Sequence, residues 1–247
     1  MIITKEKQGV PYTFHITKRR RQRRIVMRPV RVGEFRVSTP LRSSRRAIER
    51  VIDEHLERLL AMPIPTYPID YEDGDTMSYF GQPLTIHAAD VKRATMDGTR
   101  LNVPSRGEIT AHVKRFLTAS LRREVMVLVR RHEGSVKRRP LKTLRFSIRP
   151  MKSKFGSCRP TSGRITLNLE LIHYPKAYLE MIFLHEVAHL DVADHQDGFY
   201  RLMDRLCPEH RVLRKALNRL RQALLYDGFS GLFDALKEGD TNDCVSH

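Results

Sequence analysis

The residues best suited to chemistry lie in one stretch, Leu184-His185-Glu186-Val187-Ala188-His189-Leu190, with a further histidine at His195. On a helix, residues four apart share a face, their Cβ atoms roughly 5–6 Å apart. His185 and His189 can therefore hold one zinc ion through Zn–N bonds of about 2.0–2.1 Å. Glu186 follows the first ligand directly and can take a proton from water activated by the metal without becoming a ligand. His195 supplies a third imidazole and leaves a fourth position for that water. Chance would place H-E-x-x-H in roughly three such chains in a hundred, and the third histidine at a fixed offset lowers this to about one in a thousand.

The stretch needs a helix to carry it. Pro175 suits a first helical turn, and Leu179, Ile182 and Phe183 continue the apolar face into the motif. The spacing predicts a helix ending near Val192, after which Ala193-Asp194 loops back to deliver His195. Upstream, Arg145 to Arg149 and Arg164 to Asn168 alternate as strands, with a glycine-containing bend over Lys152 to Cys158. The second of these strands offers an edge on which an extended peptide could dock. Downstream, Phe199 to Leu206 and Arg211 to Leu225 read as helices, the latter basic with Leu213, Leu217, Leu220 and Leu224 inside.

The preceding part is rich in short strands. Tyr12 to Ile16, Ile25 to Met27 and Glu34 to Val37 come first, and a helix capped by Ser43 or Ser44 follows to about Met62. Pro63, Pro65 and Pro68 open an irregular segment, and four more short strands run from Met77 to Val103, with Asp97-Gly98 marking a hairpin. Residues 1–104 are expected to form a β-rich N-terminal lobe with one helix, 105–230 a second lobe that opens with a helix from Ser105 to His132, and 231–247 a loose polar tail. No internal repeat is apparent.

The 247 residues carry a net charge of +17, which attracts anions such as nucleic acid, nucleotides or acidic protein segments. The basic run Lys18 to Arg24 is expected to be a solvated strand edge and turn. Apolar runs are too short to span a bilayer, and Met1 to Lys7 has no signal-peptide core, so the expected compartment is the cytoplasm. Three cysteines, none in C-x-x-C, argue against both a disulfide framework and a cysteine zinc site. Cys158 and Cys207 are expected to be buried small hydrophobes, and Cys244 a free thiol in the tail.

Together these segments resemble the YgjP-like family of zinc metallopeptidases, within the zincin group, from about Thr13 to Leu225. The matching residues are Phe155-Gly156-Ser157-Cys158, Leu167-Asn168, Leu171 to Pro175, His185-Glu186-x-x-His189-Leu190, then His195 with Phe199-Tyr200. The basic strands with Arg19 to Arg24, Gly33 and Val37 to Pro40 fit as well, which makes part of the basic run family framework. The chain departs from the pattern at Phe155 and Tyr200, where Trp is usual, and at Leu169-Glu170, where the family has Trp-Arg. The resemblance implies an α+β, zincin-like fold: a small twisted sheet over two helices, the second carrying His185 and His189, preceded by the β-rich lobe.

The leading expectation is zinc-dependent cleavage of a peptide or protein. His185, His189 and His195 would be the metal ligands and Glu186 the general base and acid. Tyr200 and His210 are candidates for a second donor to the oxyanion, Asn168 for substrate contact, and Asp191 or Asp194 for orienting a ligand imidazole. The open site and the basic charge also fit a metal-dependent nucleotide phosphoanhydride hydrolase, against which stand the lack of a P-loop and of a carboxylate cluster for magnesium. A nucleic-acid-associated protease, similar in logic to SprT-like enzymes, is a third reading. A binding module with a dead site is the weakest, because the hydrolytic set is complete.

Overall fold

Alternation of apolar and polar residues builds the first sheet from β1 (Ile2–Lys7), β2 (Val10–Arg19), β3 (Val26–Arg31) and β4 (Glu34–Pro40). Phe14 and Ile16 of β2, and Phe35 and Val37 of β4, point to one buried face. The sheet order is β1-β2-β4-β3, with β2 and β4 parallel and the outer pairs antiparallel. Helix α1 (Arg45–Leu60) starts where Ser44 Oγ accepts from the Ala47 N–H at 3.2 Å, and covers that face with Ile48, Ile52 and Leu59. Phe14 and Phe35 stack with centroids 5.0 Å apart at the centre, and each fully buried apolar side chain there contributes about 1.5–3 kcal/mol. The basic run Lys18 to Arg24 is, as expected, the end of β2 and the turn after it, and its charged residues are exposed.

This computed structural model describes residues 1–7, 9–31, 33–61, 70–137 and 139–242. The proline-rich segment after α1 and Cys244 lie largely or wholly outside them. The chain divides into two units, Met1–Tyr67 and Pro68–His247. The sequence reading sets its boundary at residue 104 instead. The second sheet, β5 (Thr76–Tyr79), β6 (Gln82–Ala89), β7 (Thr95–Asp97) and β8 (Arg100–Pro104), belongs with the helix that follows it, α2 (Ile109–Arg131), because α2 packs on β8.

That sheet also reveals a repeat. Its order is β5-β6-β8-β7, with β6 and β8 parallel and both outer pairs antiparallel, followed by a helix. The first unit has the same order and the same strand senses. The repetition is one of topology, carried by the period-2 pattern that any half-buried strand shares, so it leaves no repeated letters.

The β5–β6 turn bears on the site. Phe80 (φ 51°) and Gly81 (φ 86°) are both left-handed, as a two-residue hairpin turn of this kind requires. The Phe80 N–H donates to the Ile172 carbonyl at 2.6 Å. A Cβ on Gly81 would lie 2.8 Å from Pro175 Cγ. The hairpin thereby seats the start of the helix that carries the histidines.

A third sheet has the order β10-β11-β9, from β9 (Arg145–Arg149), β10 (Gly156–Arg159) and β11 (Arg164–Asn168). β11 runs parallel to β9 and antiparallel to β10. Part of the expected bend over Lys152 to Cys158 is therefore a strand, and β11, paired on both sides, has no free edge. The edges are β9 and β10, and β10 is the one that lines the cleft at the histidines. Helix α3 (Lys176–Ala188) is apolar nearly all round and packs against α2, β10, β11 and the two helices after it, α4 (Asp197–Leu206) and α5 (His210–Asn242), the environment such a helix needs.

The loose tail expected after residue 230 is helical as far as Asn242. Gly228 takes φ 67° and ψ −153°, kinks α5, and the helix resumes. Leu232 is fully buried and the Phe229 ring lies 5.0 Å from His173, so apolar contact holds a segment that its acidic composition alone would leave in solvent.

Candidate metal centre

Helix α3 brings His185 to its last turn and ends at Ala188, so that His189 is its C-cap. This is earlier than Val192. Val192 N–H still folds back to the Ala188 carbonyl at 3.0 Å, and the chain turns to carry His195 towards α3. His185 Nε2 and His195 Nε2 then face each other at 3.1 Å. One ligand atom from each of His185, His189 and His195 lies within 4.8 Å of the other two. Tetrahedral nitrogen ligands at about 2.05 Å from an ion stand roughly 3.3 Å apart, so the cluster is of the right size to hold one.

The two rings on the helix are also held in the right chemical state. His189 Nδ1 lies 3.2 Å from the Val192 carbonyl, which fixes the proton on Nδ1 and leaves Nε2 as the ligand atom. Burial, helped by the neighbouring His189 and Arg214, pushes His185 down to about 3. Burial likewise lowers His189. Neutral imidazole is the form that binds metal. Phe199, buried in the first turn of α4, packs on all three rings with centroids 5.0, 4.6 and 4.7 Å away. It is the floor of the centre, a role its place in an aromatic pair did not suggest.

Glu186 sits on the other side of the helix end and is 6% exposed. Burial raises its carboxyl to about 7, against the pull of Lys154, Arg214 and the Cys158 backbone N–H, which donates to it. The contact with β10 is close. A Cβ on Gly156 would lie 2.6 Å from Glu186 Oε1 and 2.7 Å from its Cγ. Only glycine lets the strand lie this near the carboxylate, and this explains the Phe155-Gly156-Ser157-Cys158 segment. Cys158 is half-buried, and burial, with Glu186 beside it, pushes its thiol up to about 11.

The other sequence candidates fall differently. Asn168 is 1% exposed and its amide is spent inside the protein. Its Oδ1 accepts from the Met151 and Glu170 N–H groups at 3.0 and 3.2 Å, and its Nδ2 donates to the Met151 and Lys154 carbonyls at 2.9 and 3.0 Å. It clamps the loop that leads into β10 and does not line the cleft. Asp191 accepts from the Lys137 N–H at 3.0 Å, and Asp194 is exposed; for His189 the orienting group is the Val192 carbonyl. Tyr200 and His210 do line the cleft, stacked on each other, and His210 Nε2 donates to Asp204 Oδ1 at 2.9 Å.

Behind β10 lies a buried pair that sequence reading missed. Glu170 is 2% exposed and accepts from Tyr174 Oη at 2.7 Å and Arg221 Nη2 at 3.1 Å. Arg221 Nε is 3.0 Å from Glu170 Oε1 but does not direct its hydrogen there. The Arg221 guanidinium also lies over the Phe155 ring at 4.6 Å. The signal was available: Arg211, Arg214, Asn218 and Arg221 recur at helical spacing on one face of α5, and all four line the cleft. The cleft has a volume of about 880 Å³.

A YgjP-like metallopeptidase domain matches residues 23–220, most of the chain. The chain belongs to the YgjP-like family. It is therefore a metal-dependent peptidase acting on a peptide or protein, in an α+β fold. The match gives no support to a nucleic-acid partner. Among solved structures the chain is similar to the metallopeptidase zymogens abylysin of Pyrococcus abyssi and jannalysin of Methanocaldococcus jannaschii. The first is 22% identical over 38% of this chain and 90% of that one, the second 19% identical over 39% and 88%, each with a TM-score of 0.33. No curated protein matches. Among the described residues, no helix is long and apolar enough to cross a membrane.

Proposed function

We propose that the enzyme is a zinc peptidase in which His185, His189 and His195 hold the ion through Nε2 and Glu186 moves the proton. The observation that carries this is the meeting of three imidazole nitrogens within 4.8 Å beside a buried carboxylate. Three neutral imidazoles are a donor set that suits zinc. When bound, the ion supplies a Lewis acid that polarises the scissile carbonyl and acidifies water.

Glu186 does the proton work. With its carboxyl raised to about 7, it is poised to accept a proton at a carboxylate oxygen near neutral pH and to release it to the leaving amine nitrogen. Gly156 and the Cys158 N–H hold that carboxylate in place. The free edge of β10 gives an extended substrate backbone a strand to pair with. Tyr200 and His210 are the two oxyanion candidates in the cleft; the His210 Nε2–H is committed to Asp204, so His210 serves as donor only with its Nδ1 protonated as well.

Metal-loaded Glu186→Gln tests the assignment. Peptide turnover should fall by at least about 10²-fold, the usual yield of a general acid–base group, while the metal is retained. Turnover equal to wild type would remove Glu186 from the mechanism.

A further inference from the structure

The wall of the cleft is one-sided in charge. Lys154, Arg211, Arg214 and Arg221 line it, and Glu186 is its single carboxylate among the described residues. Two of the arginines are already neutralised. Arg221 is paired with buried Glu170 at 3.0 Å, and Arg211 reaches Asp204 at 3.4 Å. Arg214 and Lys154 have no carboxylate within ion-pair distance among the described residues.

Arg214 is nevertheless held. Its guanidinium lies 5.7 Å from the Phe155 ring centroid, a cation–π contact that orders the fork. Asn218, one turn along the same face, adds an amide. Lys154 comes from the loop that Asn168 clamps, its carbonyl accepting from Asn168 Nδ2 at 3.0 Å, so its backbone position is set. A guanidinium and an ammonium that line one peptide cleft, both attracting the Glu186 carboxylate but neither spent in an ion pair among the described residues, have donors left for a carboxylate of the substrate.

Resting on the peptidase reading, we propose that Arg214 and Lys154 form a subsite for a carboxylate of the substrate, so that the enzyme selects peptides with an acidic group beside the cleaved bond. The carboxylate can come from an Asp or Glu side chain or from a free C-terminus.

The test uses the full chain carrying Glu186→Gln, so that binding is read without turnover, together with wild type for cleavage. Three labelled peptides of one length are compared: one with Glu and an amidated end, one with Gln and an amidated end, and one with Gln and a free end. The Glu or the free-end peptide should bind at least about tenfold tighter than the neutral one, the scale of one charge-assisted hydrogen bond. Which of the two gains identifies the source of the carboxylate. Arg214→Gln and Lys154→Gln should each reduce the gap, with the neutral peptide little changed. Arg219→Gln, on the same helix but outside the cleft, should leave it intact.

Equal affinities for all three peptides would overturn the proposal. So would a gap that survives the Arg214→Gln, Lys154→Gln double substitution, or displacement of the peptides by inorganic triphosphate at far lower concentration than by the acidic peptide. Failure of metal-loaded wild type to cleave any of the three counts against the peptidase reading, and the binding comparison still decides the subsite.

Discussion

Gly156→Ala places one methyl group where the site has no room. The new Cβ would stand 2.6, 2.7 and 2.9 Å from Glu186 Oε1, Cγ and Cδ. Carbon–oxygen contact is comfortable near 3.4 Å, so strand and carboxylate must part by roughly 0.8 Å. Glu186 has little freedom to yield, being 6% exposed on a helix packed on nearly every side. If β10 yields instead, the Cys158 N–H moves away from the carboxylate. Either way the proton acceptor is misplaced by close to 1 Å, a displacement that can cost about 10²-fold in rate. Overpacking should also cost about 1–3 kcal/mol of stability. The assays are kcat/KM on a peptide, metal content and urea unfolding of the same preparation. The expected result is a fall of about 100-fold in kcat/KM with metal content unchanged, since the three atoms nearest the added Cβ all belong to Glu186. Activity within about threefold of wild type would refute the claim that β10 fixes Glu186.

Arg221→Met should destabilise the protein by about 3–5 kcal/mol, because it strands Glu170 in the interior; adding Glu170→Gln should recover at least about 1 kcal/mol, and strictly additive losses in urea unfolding would deny the coupling. His173 is fully buried, with Nδ1 2.7 Å from the Ser78 carbonyl, and burial lowers it to about 4. The unfolded chain therefore takes up a proton near pH 6.5 that the folded chain refuses until about pH 4, so this group's share of stability is intact above 6.5 and is lost as pH falls between the two. Glu186, raised to about 7, tilts the metal-free protein the opposite way, so the quantity to measure is the slope of wild type minus that of His173→Phe. The difference should approach 1.4 kcal/mol per pH unit in that window; parallel slopes would show that His173 titrates normally.

Much of the site could be read from the sequence because its parts are local. His185, Glu186 and His189 share one helix end, and Pro175 marks where that helix begins. What escaped depends on contacts across long separations. Glu170 meets Arg221 fifty-one residues away, and nothing in Leu169-Glu170 announces that partner. β10 was obscured because Phe155-Gly156-Ser157-Cys158 is too short and too rich in small residues to alternate; its strand character comes from pairing with β11. The third ligand was legible as a type and an offset, whereas its ring position depends on Phe199. The end of α3 was misjudged for a similar reason. Leu190 is buried and continues the apolar pattern, yet the helix has already ended at Ala188. The last helix runs past Leu225, where the sequence pattern ends it, because Gly228 kinks the helix without stopping it and buried Leu232 holds the continuation.

The central claim is that three histidines converge on one ion. Elemental analysis of the purified full chain tests it directly, alongside His185→Ala, His189→Ala and His195→Ala. Zinc near one per chain in wild type and in Glu186→Gln, with sharp loss in each histidine variant, is the expected pattern. A wild-type chain without metal, or metal content indifferent to His195→Ala, would contradict it.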